Sequence, residues 1–280
     1  MKFVYEYQGR TITLVGTAHV SPDSVKEVEN EALKSNITDI CIELDRQRYN
    51  SMMESKKEEL IIESKIKNLN NNKNENKKNN KNENKIRKQI KKQMNKRKKK
   101  KTNYNKEFGV FGNLFLKIGS FIQNKIGDIL NIEPGSEFIR SIEIAKERDI
   151  NLFLVDQKIN QTLSDFKKIP KKEQWKILKS ILWPFGMDNS NLRNIDKKNI
   201  NMKNMIFDYK TILNITEFMR KNFPTFYFVL VEKRNVIMIE NIMKIFKEKS
   251  NGDILCVVGA GHLPGMLKII DKDENFRRII

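Results

Sequence analysis

Apolar and polar residues alternate near both ends of the chain, and apolar residues recur at helical spacing through its middle. Lys2 to Tyr7 and Thr11 to Val15 flank the turn Gln8-Gly9-Arg10 and predict two strands of a β-hairpin. Ser21-Pro22-Asp23 then opens a helix, with Val25, Val28, Ala32 and Leu33 spaced for one buried face. Ile37 to Leu44 predicts a strand that ends in Glu43-Leu44-Asp45. This is a hairpin followed by an α–β unit, and the crossover helix favours parallel pairing with one of the first strands.

Pro134-Gly135-Ser136 starts a helix that runs through Arg148, and Ile150 to Val155 predicts a strand closed by Asp156. From Thr162 to about Lys249 the spacing is helical. Leu163 and Phe166 begin it, and Trp175, Leu178, Ile181 and Leu182 continue it. Asn189 to Lys203 is polar and reads as a loop. Met205 to Arg220 and Phe226 to Lys247 predict longer helices, with Pro224 at the break. Asp253 to Val258 is the last strand, and Leu263 to Ile270 a closing helix. Strands first, a helical middle and a late strand predict an α/β fold: a central mixed β-sheet flanked by helices, with a helical middle region.

Composition changes this picture in one place. The 33.0 kDa chain can bury a full core, yet it carries a net charge of +19. Lys65 to Lys101 holds 17 Lys or Arg against 2 Glu, which is +15 of that total and leaves +4 for the rest. The expected division is therefore 1–64 and 108–280 as one α/β domain, interrupted by a Lys/Asn-rich insertion at 65–107. The insertion has too little apolar surface to offset its ordering entropy, so it is expected to be disordered or loosely helical. Lys65 to Lys101 is a candidate contact for nucleic acid or a peripheral membrane surface, although it lacks the aromatics that base stacking uses. Phe108 to Leu130 is rich in glycine and large apolar residues, and is expected to pack at least partly in the core. Cys41 and Cys256 lie in apolar runs and are expected as buried free thiols of a reducing compartment. The N-terminus lacks the features of a signal peptide, and no apolar run reaches 18 residues. A cytoplasmic chain without a transmembrane segment is expected, with membrane association through the basic segment as the alternative.

The only two histidines occupy matching frames. Gly16-Thr17-Ala18-His19 follows Ile12 to Val15, and Gly259-Ala260-Gly261-His262 follows Ile254 to Val258. A strand ending in Gly-x-x-His delivers an imidazole to the lip of a sheet, where open α/β folds place their sites. Glu43 ends another apolar strand. Two imidazoles and a carboxylate make a three-ligand site with an open position for water. The same trio without metal suits general acid–base chemistry on a hydrolytic water, and spacing accommodates both. Structural roles compete at each supporting position. Glu43 has Arg46 and Arg48 within a turn, Asp45 reads as a helix N-cap, and Asp156 as the end of its strand. Glu137 suits a helix dipole. Arg234, beside Asn235 in an apolar helical stretch, needs a buried carboxylate partner. No nucleophile elbow or phosphate-binding loop is present.

Taken in order, Gly16-Thr17-Ala18-His19-Val20-Ser21, Glu43-Leu44-Asp45 with Arg48, and Pro134-Gly135-Ser136-Glu137-Phe138 resemble the TraB/PrgY/GumN family. The series continues through Leu154-Val155-Asp156, Thr162-Leu163 and Arg234-Asn235 with Met238, and closes on Val257 to Gly265. It resembles the archaeal TraB branch in particular. The resemblance implies the erythromycin-esterase-like/ChaN-like fold and kinship with the Tiki metalloproteases. It implies His19, Glu43 and His262 as catalytic residues and ligands of a divalent ion (manganese, cobalt or zinc), with Arg48, Glu137, Asp156, Arg234 and Asn235 in support. Three positions depart from the family pattern: Gln157 and Ser164 stand where arginines are usual, and Lys233 where an acid is usual. Many relatives continue into C-terminal transmembrane helices. Two functions follow as expectations: a metal-dependent hydrolase acting on a peptide or small molecule, or a non-catalytic peptide- or signal-binding regulator of the pheromone-shutdown type.

Overall fold

The computed structural model describes residues 1–17, 22–71, 135–182, 209–249 and 251–280. Strands β1 (Lys2–Tyr7) and β2 (Arg10–Thr17) pair antiparallel, with Tyr7 opposite Arg10. Gln8 and Gly9 both take positive φ, 50° and 74°, which a two-residue hairpin turn requires. Arg10 thus belongs to the strand rather than to the turn. It donates to the Phe246 and Gly252 carbonyls, each at 2.8 Å, and so ties the hairpin to the end of a distant helix.

Helix α1 (Pro22–Ala32) leads to β3 (Ile37–Ile42), and α2 (Arg46–Asn71) follows. The α2 backbone continues through the first residues of the Lys/Asn-rich segment; its remainder, Phe108 to Leu130 and Asn189 to Lys203 lie outside the described residues. Helix α3 (Ser136–Glu147), β4 (Asn151–Leu154), α4 (Ile159–Phe166) and α5 (Lys171–Leu182) come next. Helix α6 (Tyr209–Asn222) ends before Pro224, which takes the first position of α7 (Pro224–Tyr227), where a missing N–H costs nothing. A π-helical segment (Phe228–Glu232) joins α7 to α8 (Lys233–Glu248). The chain closes with β5 (Asp253–Gly259), a 3₁₀ turn (Ala260–His262), α9 (Leu263–Ile270) and the short β6 (Arg277–Arg278).

The six strands form one mixed sheet in the order β4-β3-β5-β2-β1-β6. β2, β5, β3 and β4 are mutually parallel. The expected direct pairing of β3 with an early strand does not occur, because β5 enters between β3 and β2. The reason is apolarity: all seven residues of β5 are buried, which only a central strand covered on both faces allows. Ile254, Cys256 and Val258 face Ile12, Leu14 and, from α8 and α9, Met238, Ile242, Leu263 and Met266. Leu255 and Val257 face Val28 of α1 and Phe138 and Ile142 of α3. Cys41 and Cys256 are buried, free and directly paired across β3 and β5. A hydrogen bond between the two thiols, then burial, push the Cys41 thiol well above its usual range.

A second cluster, built from Leu163, Phe166, Ile169, Ile177, Phe223, Phe226 and Val229, holds the helical middle together. One expected core position is corrected: Leu33 lies just past the end of α1 and is 51% exposed. In α5, Trp175 is 65% exposed while Ile177 turns inward.

Candidate functional site

Because β2, β3, β4 and β5 are parallel, their C-terminal ends share one edge of the sheet. The helices after β2 and β3 pack on one face, and the helix after β5 packs on the other. Chain directions therefore diverge around β5, which is where open α/β sheets form a crevice. Thr17, the last residue of β2, pairs with Gly259, the last of β5. His19 lies outside the described residues. His262 follows Gly259 through the 3₁₀ turn and is buried.

Glu43 sits one residue past β3, also buried. Its Oε2 accepts the Gly259 N–H at 2.6 Å, while its Oε1 lies 3.1 Å from His262 Nε2 and accepts from Arg234 Nη2. The strand-end carboxylate and the histidine of the second Gly-x-x-His frame thus meet. On the other side of the ring, Nδ1–H donates to Asn235 Oδ1 at 2.6 Å. That bond fixes the ring's orientation and leaves Nε2 for the Glu43 side.

Arg234 extends the cluster. Its Nε and Nη2 donate to the two oxygens of Asp156 at 3.0 and 2.5 Å, and Nη1 donates to the Leu230 carbonyl in the π segment. Burial alone would lower its pKa, but the Glu43 and Asp156 carboxylates outweigh that and raise it. Asp156, two residues past the end of β4, also accepts from Arg48 Nη2 and from the Gln157 N–H at 2.7 Å. Arg48 is likewise raised: burial is opposed by Asp156 and Asp45, with Arg234 pulling the other way. Arg46 and Arg48 are the neighbours sequence spacing offers Glu43, yet Arg48 turns to Asp156 and Asp45, and Glu43 takes Arg234. A helix delivers its cation along its own face, and α2 aims that face at β4 rather than at β3.

Asp45 is the N-cap of α2, accepting the Gln47 and Arg48 N–H groups at 2.7 and 3.0 Å. It does more than capping predicts. Its Oδ2 also takes Arg48 Nε at 2.7 Å and the Ile159 N–H at 3.0 Å, so one carboxylate holds the starts of α2 and α4 together. Glu137, in the first turn of α3, is buried and accepts from Thr17 Oγ1 at 3.3 Å. It therefore meets the end of β2 as well as its helix dipole.

Sequence reasoning passed over Asp165. It accepts from Lys168 at 2.8 Å, from Lys233 and from Gln157 Nε2 at 3.4 Å. Burial would raise its pKa, but the two lysines hold it low. Two of the three departures from the family pattern, Gln157 and Lys233, thus converge on this single acid. The available signal was that pair of departures, one uncharged and one reversed, which together call for a new carboxylate nearby.

Only two of the proposed donors are among the described residues, and their spacing suits a hydrogen bond as well as a shared cation. Metal–ligand bonds of about 2.0–2.2 Å at a tetrahedral angle set neighbouring donors roughly 3.3 Å apart, and Glu43 Oε1 and His262 Nε2 stand at 3.1 Å. The Nδ1 bond to Asn235 is the outer contact that ligating histidines use. Arg234 shares the same carboxylate oxygen, so it and a cation would divide one negative charge. Among the described residues no group of three or more His, Cys, Asp or Glu converges, and His19 is not among them. Also among the described residues, no helix is long and apolar enough to cross a membrane.

An uncharacterized protein of Methanocaldococcus jannaschii is 29% identical over 265 residues, 94% of this chain and 54% of the relative. The chain thus spans about half the length of that curated relative. The model of the TraB/PrgY/gumN family matches residues 3–275, which takes in every element that carries the site. The chain belongs to the TraB/PrgY/gumN family.

Proposed function

We propose that this chain is a metal-dependent hydrolase, peptidase-like in its substrate, with the ion held by Glu43, His262 and His19. The observation that carries the reading is the 3.1 Å approach of Glu43 Oε1 to His262 Nε2 at the divergent edge of a parallel sheet. Two acceptor atoms that close need a cation between them, either a proton or a metal ion. A bound divalent ion would supply a water of lowered pKa and polarise a carbonyl.

The chain's own residues prepare that position. Asn235 accepts the Nδ1 proton and fixes the imidazole plane. The Gly259 N–H and Arg234 hold both oxygens of Glu43, so the carboxylate loses no orientation when a substrate enters. Asp156 pairs with Arg234 and Arg48 from the far side, which holds the Arg234 guanidinium as a fixed positive charge beside Glu43.

Metal analysis of the purified chain, with His19→Ala, Glu43→Gln and His262→Ala beside it, tests the ligand set. Bound metal in the parent and loss in each variant supports it; full metal content in the variants overturns it. A peptide-library cleavage assay across manganese, cobalt and zinc tests the hydrolysis. Tight peptide binding without turnover in every metal replaces the enzyme reading with that of a peptide-binding regulator.

A further inference from the structure

Helix α5 and the turn before it carry six lysines within 13 residues: Lys167, Lys168, Lys171, Lys172, Lys176 and Lys179, all exposed. The acids alongside them are already engaged. Asp165 is buried against Lys168 and Lys233, and Glu173 accepts the Phe226 N–H at 2.7 Å. Lys176 is occupied as well, donating to the Asn222 carbonyl at 3.0 Å. Lys167, Lys171, Lys172 and Lys179 have no ion pair among the described residues. Amid them stands Trp175, 65% exposed, while Ile177 on the opposite face is buried in the helical cluster. Lys171, Lys172 and Lys179 lie four before, three before and four after Trp175, which puts them on its face of the helix.

We infer that this face of α5 docks on an anionic lipid surface. Unpaired ammonium groups around one indole attract a negatively charged partner, and their number fixes its sign. The indole suits the headgroup boundary, where its ring meets acyl chains and its N–H meets water. The lysine stems lie along the same boundary with their charges in the headgroups. A single-stranded nucleic acid is the poorer fit. It is gripped by successive aromatic platforms, and here there is one. The forked donors of arginine that clasp phosphates are also missing from Asp165 to Leu182. This surface lies on α5, outside the Lys65 to Lys101 stretch of the sequence, and it does not depend on the proposed hydrolase.

The test uses the full chain in a Trp183→Phe background, so that Trp175 alone reports. Vesicles of phosphatidylserine and phosphatidylcholine are compared with phosphatidylcholine alone, with circular dichroism confirming the fold of each variant. The expected result is a blue shift of Trp175 emission on the anionic vesicles only. Roughly tenfold or greater loss of partitioning is expected in the Lys171→Glu/Lys172→Glu/Lys179→Glu variant. Three results would overturn the inference: binding with unshifted Trp175 emission, which assigns the contact to the Lys65–Lys101 segment; equal binding of the triple variant; or a Trp175 response to a uridine oligonucleotide and none to vesicles.

Discussion

The Asn235 amide occupies the space where Gly265 would carry a side chain: a Cβ on Gly265 would lie 2.1 Å from Asn235 Nδ2. Gly265 sits in the first turn of α9, immediately after the histidine frame, and Asn235 reaches over it from α8 to His262 Nδ1. A glycine in the closing helix thus sets the plane of the imidazole.

Gly265→Ala should therefore disable the site through Asn235 rather than through the helix. Alanine favours a helix over glycine by about 1 kcal/mol, so α9 itself is not weakened. We predict displacement of Asn235, loss of the 2.6 Å bond to His262, and metal affinity falling about 10–100-fold, as when an outer-shell partner is removed. Asn235→Ala should have a similar effect. Isothermal titration with manganese and zinc checks both, and unchanged affinity in Gly265→Ala contradicts the mechanism.

Arg234 is the hinge of the charged cluster, and removing it leaves Glu43 and Asp156 facing each other with one cation fewer. We predict that Arg234→Met destabilises the fold by about 3–5 kcal/mol, the usual cost of stranding buried charge. Arg234→Lys should recover only part, since one ammonium cannot span both carboxylates and the Leu230 carbonyl. Urea unfolding midpoints give the comparison. A loss below 1 kcal/mol in Arg234→Met would mean that the guanidinium contributes little.

Asp45 gives a signed pH dependence. Burial would raise its pKa, but the Arg48 guanidinium and the α2 N–H groups outweigh burial and lower it. A lowered folded-state value means that its contribution is fully present above the unfolded value of about 3.9, and is lost as pH falls through the folded one. Asp45→Asn keeps an N-cap but removes the charge opposite Arg48, so it should cost up to about 1 kcal/mol at pH 7, with the difference from the parent narrowing below pH of about 4. Parallel unfolding curves at neutral and acid pH provide the test; a gap that widens in acid has the wrong sign.

Gln157 and Lys233 meet at Asp165, so they should be coupled in energy. Lys233→Glu alone places a second carboxylate against Asp165 and should destabilise. Gln157→Arg added to it restores a cation between the acids and should recover much of the loss. We predict a coupling of about 0.5–3 kcal/mol in the double-mutant cycle. Additive effects would show that the two side chains act separately.

Much of this architecture was legible along the chain. The apolar run Ile254 to Val258, closed by Gly259, announces a buried strand, because a sheet covered on both faces needs apolar residues at every position. Asp45 before Arg46, and Pro224 before a helical stretch, mark helix starts through local backbone chemistry. Leu33 is exposed where the spacing predicts burial, because helical spacing names a face without saying where the helix stops.

The sequence by itself determined the α/β class, the strands that end in Gly-x-x-His and Glu43, and the need of Arg234 for a buried acid. Each of these follows from short-range periodicity, or from the energy of burying one charged group. Only the tertiary structure decided that β5 separates β3 from β2, that Glu43 takes Arg234 rather than Arg48, and that Gln157 and Lys233 share Asp165. These pairings join residues far apart in the chain. Which carboxylate meets which cation depends on where whole helices are aimed, and that direction is set by packing against the sheet.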